Sequence, residues 1–214
     1  IPMKVFVVLM LMSLFVSACG GSPTPAPTDA PATAESASTD SGSTDGAPAS
    51  LALAQTIESE TGYSYQLPDG WFVNDNDSIS NFSSDEDAVL DYMSTDVTEN
   101  NRWIIIGSVS DVSADDVSGI TEAESFEAAA ALMHAYYYTA DADVQPPTLV
   151  QLANGKNASV SVKNNPDMPG KAYATYFVEM GEGRYAKVSF ESRADIMAQE
   201  VAFRDAVAAS VTLR

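Results

Sequence analysis

Cysteine and histidine are nearly absent from this chain, and their scarcity excludes several kinds of site. The 214 residues contain one cysteine, Cys19, and one histidine, His134. A single thiol cannot form an intramolecular disulfide or a zinc site of several cysteines, and acylation of Cys19 would leave no free thiol. We therefore expect a domain held by its apolar core alone, over roughly 160 residues, which is enough for one domain.

Basic residues are also scarce. The chain has 10 Lys and Arg against 30 Asp and Glu, a formal net charge of −20. No Lys or Arg lies between Lys4 and Arg102. Such a surface repels phosphate backbones and anionic lipid headgroups, so we exclude nucleic acid as a partner. Solubility outside the cell or a salty habitat explains the acidity most simply, and a cationic partner or a divalent metal is the alternative.

Long apolar runs are missing too, and the longest one is at the start of the chain, at residues 5–16 behind a lysine. About twelve residues are too few for a bilayer span, which needs about 20, so the run predicts a cleaved signal core. Ser17, Ala18 and then Cys19 complete the order of a bacterial lipobox. We expect residues 1–18 to be the signal peptide. An ordinary secretory signal with a chance cysteine is the alternative.

The lipobox predicts where the protein lies in the cell. We expect the Cys19 thiol to carry a thioether-linked diacylglycerol that anchors the chain in a bacterial membrane, facing outside the cytoplasm in the cell envelope. Residues 19–50 consist almost entirely of Gly, Ser, Pro, Thr, Ala and Asp. They have no apolar face to bury, so we expect a disordered tether of roughly 30 Å average span. Residues 51–214 would form the folded domain.

Apolar periodicity and turn residues predict an α+β domain in which an antiparallel sheet is packed by helices. The predicted strands are residues 63–67, 71–73, 79–82, 103–106, 149–152, 158–162, 172–180 and 184–191. The predicted helices are residues 84–93, with Ser84 as N-cap, 122–139 and 194–209. Asn154-Gly155 predicts a hairpin because both residues tolerate positive φ. In the middle helix, Phe126, Ala130, Met133 and Tyr137 should face the core.

A family resemblance rests first on residues 65–71, YQLPDGW, which are similar to the opening "aromatic, Pro-x-Gly-Trp" signature of the PsbP-like (Mog1/PsbP) superfamily. The later predicted elements follow in the order of that superfamily, so the resemblance covers nearly all of residues 63–213. It implies an α-β-α sandwich. Known members include extrinsic photosystem II subunits, a binder of a small GTPase and many bacterial lipoproteins, and this chain resembles the last group in layout. No residue matches the photosystem-binding or GTPase-binding positions, so the resemblance implies no functional residue.

Few residues suggest chemistry. His134 lies at the edge of the core-facing stripe, and the chain has no Gly-x-Ser-x-Gly or comparable nucleophile element, so we expect a boundary histidine rather than a general base. The acidic clusters at residues 75–77, 85–87 and 111–116 lack EF-hand spacing. We favour turns and helix caps for them over a calcium site, and we expect no other metal or cofactor.

The run Tyr136-Tyr137-Tyr138 is the one aromatic cluster in the sequence. Tyr137 belongs to the core-facing stripe, and Tyr136 and Tyr138 flank it on opposite sides. Amphipathic aromatic residues suit a binding surface or the rim of a core, and we favour the rim. Tyr136 and Tyr138 are nevertheless the candidate partner-binding residues. Trp71 is predicted to anchor the core behind a turn.

Three functions follow as hypotheses. The leading one is a non-enzymatic, membrane-tethered module that binds a protein partner or stabilises an assembly in the cell envelope. The second is a lipoprotein that binds a small ligand or calcium in an acidic or aromatic cleft. The third is an enzyme without a recognisable motif, in which His134 would be the obvious acid–base group.

Overall fold

The computed structural model describes residues 51–91, 95–99, 102–138, 146–164 and 168–214. The predicted signal peptide, Cys19 and the predicted linker at residues 19–50 lie outside the described residues. Within the described ranges, no helix is both long enough and apolar enough to cross a membrane.

Strands dominate the described residues, and four helices interrupt them in three places, because α3 and α4 follow each other between β9 and β10. The strands are β1 (Leu53–Glu58), β2 (Tyr63–Pro68), β3 (Phe72–Asp75), β4 (Ile79–Ser83), β5 (Ile105–Asp111), β6 (Thr148–Gln151), β7 (Asn157–Asn164), β8 (Lys171–Gly181), β9 (Arg184–Arg193) and β10 (Thr212–Leu213). The helices are α1 (Glu86–Leu90), α2 (Phe126–Tyr138), α3 (Ala194–Gln199) and α4 (Val201–Ser210).

The strands form two antiparallel sheets. The larger sheet has the order β3-β4-β5-β9-β8-β7-β6, and the smaller has the order β1-β2-β10. The prediction of one sheet was therefore incomplete. Gly70, at φ 77°, ends the turn after β2, and the chain then enters the other sheet at β3. Glycine adopts this left-handed backbone without steric cost, so the turn can redirect the chain sharply.

Helices cover both faces of the larger sheet, as an α-β-α sandwich requires. On one face, Ala88 of α1 packs near Ile106, and Met133 of α2 packs near Phe177. On the other face, α3 and α4 bury apolar side chains against the sheet and against β2. The predicted α+β class with an antiparallel sheet between helices is confirmed.

Aromatic side chains fill the main core between the two sheets and α4. Trp71 is 7% exposed, and its ring centroid lies 5.1 Å from that of Phe203 and 6.1 Å from that of Phe82. The prediction that Trp71 anchors the core is confirmed. Gly107 of β5 lies directly against the Phe82 ring, so its missing side chain is part of this packing.

Helix boundaries differ from the prediction where a capping group decides them. The carboxylate of Asp85, not Ser84, accepts the Ala88 N–H at 3.0 Å and caps α1. The Ser84 hydroxyl instead accepts the Ile105 N–H at 3.1 Å. The helix predicted from residue 122 begins only at Phe126, after Ser125 accepts the Ala128 N–H at 3.2 Å. The backbone N–H groups of the first helical turn have no partner within the helix. A side-chain oxygen that accepts from one of them stabilises the helix start, so helices begin where such a side chain is present.

Two further helix predictions have mixed outcomes. The last helix is broken at Glu200, whose φ of −97° and ψ of 35° separate α3 from α4. In α2, Ala130 and Met133 are buried as predicted, and Phe126 and Tyr137 pack partly buried against the same cluster.

Candidate functional site

A groove lined by both polar and apolar groups crosses the face of the larger sheet that carries α1 and α2. It comprises two adjoining cavities of about 350 Å³ and about 310 Å³. Tyr173, Lys187, Ser189 and Phe190 line both cavities, so the two are one continuous feature. Each volume lies at the lower end of the range for small-molecule sites. The groove is lined by Ile79, Ile106, Gly107, Ser108, Tyr137, Tyr138, Lys163, Lys171, Tyr173, Thr175, Lys187, Ser189, Phe190 and Glu191.

Strand alternation produces the floor of the groove. Successive residues of β9 point to opposite faces, so Val188 and Phe190 enter the main core while Lys187 and Ser189 face the groove. The register places Thr175 of β8 beside Ser189. Polar side chains of neighbouring strands therefore form one continuous surface.

The two helices leave the middle of this face uncovered. Ile106 packs in a small cluster under α1, and Phe177 packs in another under α2. Between these two apolar contacts lie the cross-strand neighbours Ser108 and Ser189, which line the first cavity. Tyr137 and Tyr138 of α2 line the second cavity, and hydroxyl groups lie along the floor of the groove.

Lysines are concentrated in the groove. Of the four lysines in residues 51–214, three line it, namely Lys163, Lys171 and Lys187, and the fourth is Lys156. The only carboxylate among the lining residues is that of Glu191. The groove is therefore basic in a chain whose formal net charge is −20.

Lys171 and Glu191 neutralise each other. Their side chains form an ion pair and are 8% and 13% exposed. Burial raises the pKa of the Glu191 carboxyl above its ordinary value, although the Lys171 ammonium acts in the opposite direction. A buried pair of this kind contributes little net charge to the groove.

Lys187 has a different environment. Its Nζ lies 4.5 Å from the centroid of the Tyr137 ring, and no carboxylate among the described residues pairs with it. Burial lowers the pKa of the Lys187 ammonium below its ordinary value. A cation–π contact stabilises an ammonium by about 0.5–2 kcal/mol, which is less than a well-placed carboxylate can offer. Lys187 is the partly desolvated cation at the centre of the groove.

The two tyrosines selected from the sequence are placed differently. Tyr138 lines the second cavity beside Tyr137. Tyr136 is 50% exposed and lies edge-on to Tyr137, with ring centroids 4.9 Å apart. It lines neither cavity. The structure therefore assigns Tyr138 to the groove and Tyr136 to the outer surface of α2.

His134 has a partner that sequence reasoning missed. Its Nδ1 lies 3.2 Å from Ser161 Oγ, and its ring centroid lies 5.2 Å from that of Tyr138. A histidine beside a serine hydroxyl is the arrangement of a base-activated nucleophile. Ser161 is only 3% exposed, however, so a substrate cannot approach its hydroxyl in this conformation. The contact fits the predicted boundary position of His134.

The acidic clusters form structural contacts. Both carboxylate oxygens of Asp75 accept hydrogen bonds at 2.8 Å, one from the Ser59 hydroxyl and one from the Glu60 N–H. Asp85 caps α1 and forms an ion pair with Arg102. The cap role predicted for this second cluster is confirmed. Among the described residues, no three His, Cys, Asp or Glu side chains are grouped so that they could hold a metal ion.

Sequence reasoning also missed the groove and Lys187. Residues 184–191 were predicted as a strand, and strand alternation places Lys187 and Ser189 on one face of it. This prediction gave no sign that helices would flank that face and turn it into a concave site.

The fold defined by these elements is an antiparallel α+β sandwich with helices on both faces of its larger sheet. No protein-family profile and no curated protein matches the chain. Among solved structures, it is similar to the solution structure of cyanobacterial PsbP (CyanoP) from Synechocystis sp. PCC 6803. The identity is 13% and the TM-score is 0.39, over 78% of this chain and 96% of that chain. The similarity concerns the fold alone.

Proposed function

We propose that this chain is a lipid-anchored lipoprotein of the cell envelope whose domain binds a protein partner, or stabilises an assembly, without catalysing a reaction. The anchor rests on the sequence order of the apolar run, Ser17, Ala18 and Cys19. The tether at residues 19–50 would let the domain reach partners near the membrane.

The observation that supports partner binding is the outer surface of α2. Tyr136 and Leu132 are 50% and 36% exposed, and they are four residues apart on the helix. Residues at this spacing share one face, so the two side chains form a small exposed apolar patch. Tyr136 packs on Tyr137, whose ring lies 5.2 Å from that of the buried Phe177. Aromatic side chains of this kind are typical anchors of protein interfaces, because they bury a large area at a low cost in side-chain entropy.

Site-specific photo-crosslinking tests the partner hypothesis. A photoreactive residue placed at Tyr136 in the membrane-bound protein should crosslink to one stoichiometric partner, and Tyr136→Ala should abolish the complex. Val201 of α4 is the matched control, because it is apolar and 46% exposed on a different helix. Equal background labelling from both positions would contradict the proposal.

The anchor is tested separately. Cys19→Ala should abolish the mass increase due to the diacylglycerol. The variant should also be lost from the membrane fraction. If the mass of the natural protein showed no attached lipid, the anchor hypothesis would be contradicted, and residues 1–18 would be an ordinary secretory signal.

The groove supports a second candidate, a lipoprotein that binds a small ligand. Its volume, its tyrosines and its hydroxyl groups suit a small molecule better than a broad protein surface. A thermal-shift panel of the purified protein, with calcium included, should show a saturable rise in melting temperature for at least one ligand class. A flat response across the panel would remove this candidate.

A further inference from the structure

The charge in the groove is local and differs in sign from that of the whole chain. Three lysines line a groove in a chain of net charge −20. Charges more than about 8 Å apart are largely screened at physiological ionic strength. The lysines that line the groove are therefore the cations nearest to an anion bound there, while Asp96, Asp111 and Asp116 act on groove residues from nearby.

Lys187 is the cation that an anion would meet. Glu191 neutralises Lys171, whereas Lys187 faces the Tyr137 ring and no described carboxylate. It lines both cavities, so it is reached from either end of the groove. A partly desolvated ammonium without a counter-charge gains more from a bound anion than a hydrated surface lysine does.

The walls around Lys187 restrict the shape of the ligand. Tyr137, Tyr138 and Tyr173 line the second cavity, and Thr175 and Ser189 add hydroxyl groups. Aromatic side chains offer apolar surface against which a ring can pack. In this groove Lys187 lies over the Tyr137 ring, and Lys171 Nζ lies 5.4 Å from the centroid of the Tyr173 ring. Cation, aromatic walls and hydroxyl groups converge within one cavity of about 310 Å³.

We propose that this groove binds a small organic anion with a planar ring, whose carboxylate pairs with Lys187 while its ring packs against Tyr137 and Tyr173. This inference rests on the second of the two functions proposed above and is independent of the protein partner. The cavity volume favours a small molecule over an acidic peptide, and a peptide ligand is one outcome of the test.

The test uses the full chain in detergent and a panel of aromatic carboxylates, namely benzoate, 4-hydroxybenzoate and indole-3-carboxylate, each compared with its neutral amide. Calorimetric titration should give saturable binding of at least one carboxylate with a Kd of about 1 mM or tighter, and weaker binding of its amide. Lys187→Met should raise this Kd about tenfold or more, because it removes the ammonium and keeps a side chain that can pack on Tyr137. Measurement of every variant in the same detergent corrects for partitioning into micelles.

Two control variants distinguish a loss of binding at Lys187 from misfolding and from a general change in net charge. Lys187→Arg keeps the positive charge and should retain most of the binding. Lys156→Met removes one lysine outside the groove and should leave the Kd unchanged.

Three results would overturn the proposal. They are the absence of saturable binding by any carboxylate, equal binding of carboxylate and amide, and an unchanged Kd in Lys187→Met. Tighter binding of a glutamate-rich peptide than of every carboxylate would assign the groove to a protein instead. Tyr136→Ala should not affect these titrations, and Lys187→Met should not affect crosslinking from Tyr136. Failure of one proposal is thus distinguishable from failure of the other.

Discussion

Replacement of Gly107 by alanine should destabilise the domain severely, although Gly107 has no unusual backbone conformation. A Cβ at this position would overlap Cε2 and Cζ of Phe82 and would lie 2.8 Å from the carbonyl oxygen of Ser189. Carbon atoms in good contact are about 3.5–4.0 Å apart. The added methyl group therefore requires a shift of the Phe82 ring, of β9, or of both.

Neither neighbour can shift easily. Phe82 is 0% exposed, and its ring centroid lies 5.7 Å from that of Tyr65 and 5.8 Å from that of Phe190. Ser189 belongs to β9, which pairs with β5 along its length. Overpacking of a filled core costs about 1–3 kcal/mol, and we expect about 3 kcal/mol here because a ring and a backbone segment are both obstructed. That is a large part of a total stability of about 5–15 kcal/mol.

A double-mutant cycle isolates the cause. Phe82→Leu removes the two ring atoms that the methyl group would meet, and alone it should cost about 1–3 kcal/mol. The combination Gly107→Ala/Phe82→Leu should be more stable than the sum of the single changes by about 1 kcal/mol or more. Urea unfolding followed by tryptophan fluorescence measures all four proteins, with equal m-values as the two-state check. A cost below about 0.5 kcal/mol for Gly107→Ala, or strict additivity, would refute the packing argument.

Three further predictions concern single side chains. Asp85→Ala should cost about 0.5–2 kcal/mol through loss of the α1 cap, and Asp85→Asn should cost less because the amide oxygen still caps, as urea unfolding would show. Lys187→Met should raise stability at neutral pH, since burial lowers the pKa of Lys187. As the pH rises, the folded state then releases this proton before the unfolded state does. The natural protein should therefore gain stability relative to Lys187→Met as the pH rises towards 10.5. A difference in stability that does not change with pH would contradict this. Tyr136→Ala should change the unfolding free energy by less than about 0.5 kcal/mol, because the side chain is half exposed, and a larger loss would give Tyr136 a structural role.

Local sequence signals predicted the elements that local interactions determine. Asn154-Gly155 predicted the hairpin between β6 and β7, and Gly155 has a φ of 84°. Alternation predicted β7, β8 and β9, which pair in the expected meander. In each case the turn and the pattern of buried residues lie within about 25 residues of one another, so the sequence carries the whole signal.

Features that depend on distant contacts were not predictable in this way. β1 (Leu53–Glu58) was missed because Ala54 and Glu58 have low strand propensity, and its strand form depends on pairing with β2. β10 (Thr212–Leu213) has two residues and pairs with β2 across almost the whole domain. The sequence likewise could not predict that the chain changes sheet after Gly70, because strands of both sheets show the same alternation of buried and exposed residues.

The groove shows the same division between local and distant information. Alternation in β9 made it predictable that Lys187 and Ser189 point away from the core, but their surroundings depend on α2, which lies far away along the chain. The chain has 30 acidic residues, and no described carboxylate pairs with the lysine at the centre of this sheet face. A fold selected for stability alone would supply a counter-charge or an apolar side chain at such a position. Local violations of this kind concentrate at functional sites, where a ligand provides what the protein lacks. Lys187, with which no carboxylate of the described residues pairs, is therefore a stronger physical reason than any motif in the sequence to look for a ligand in this groove.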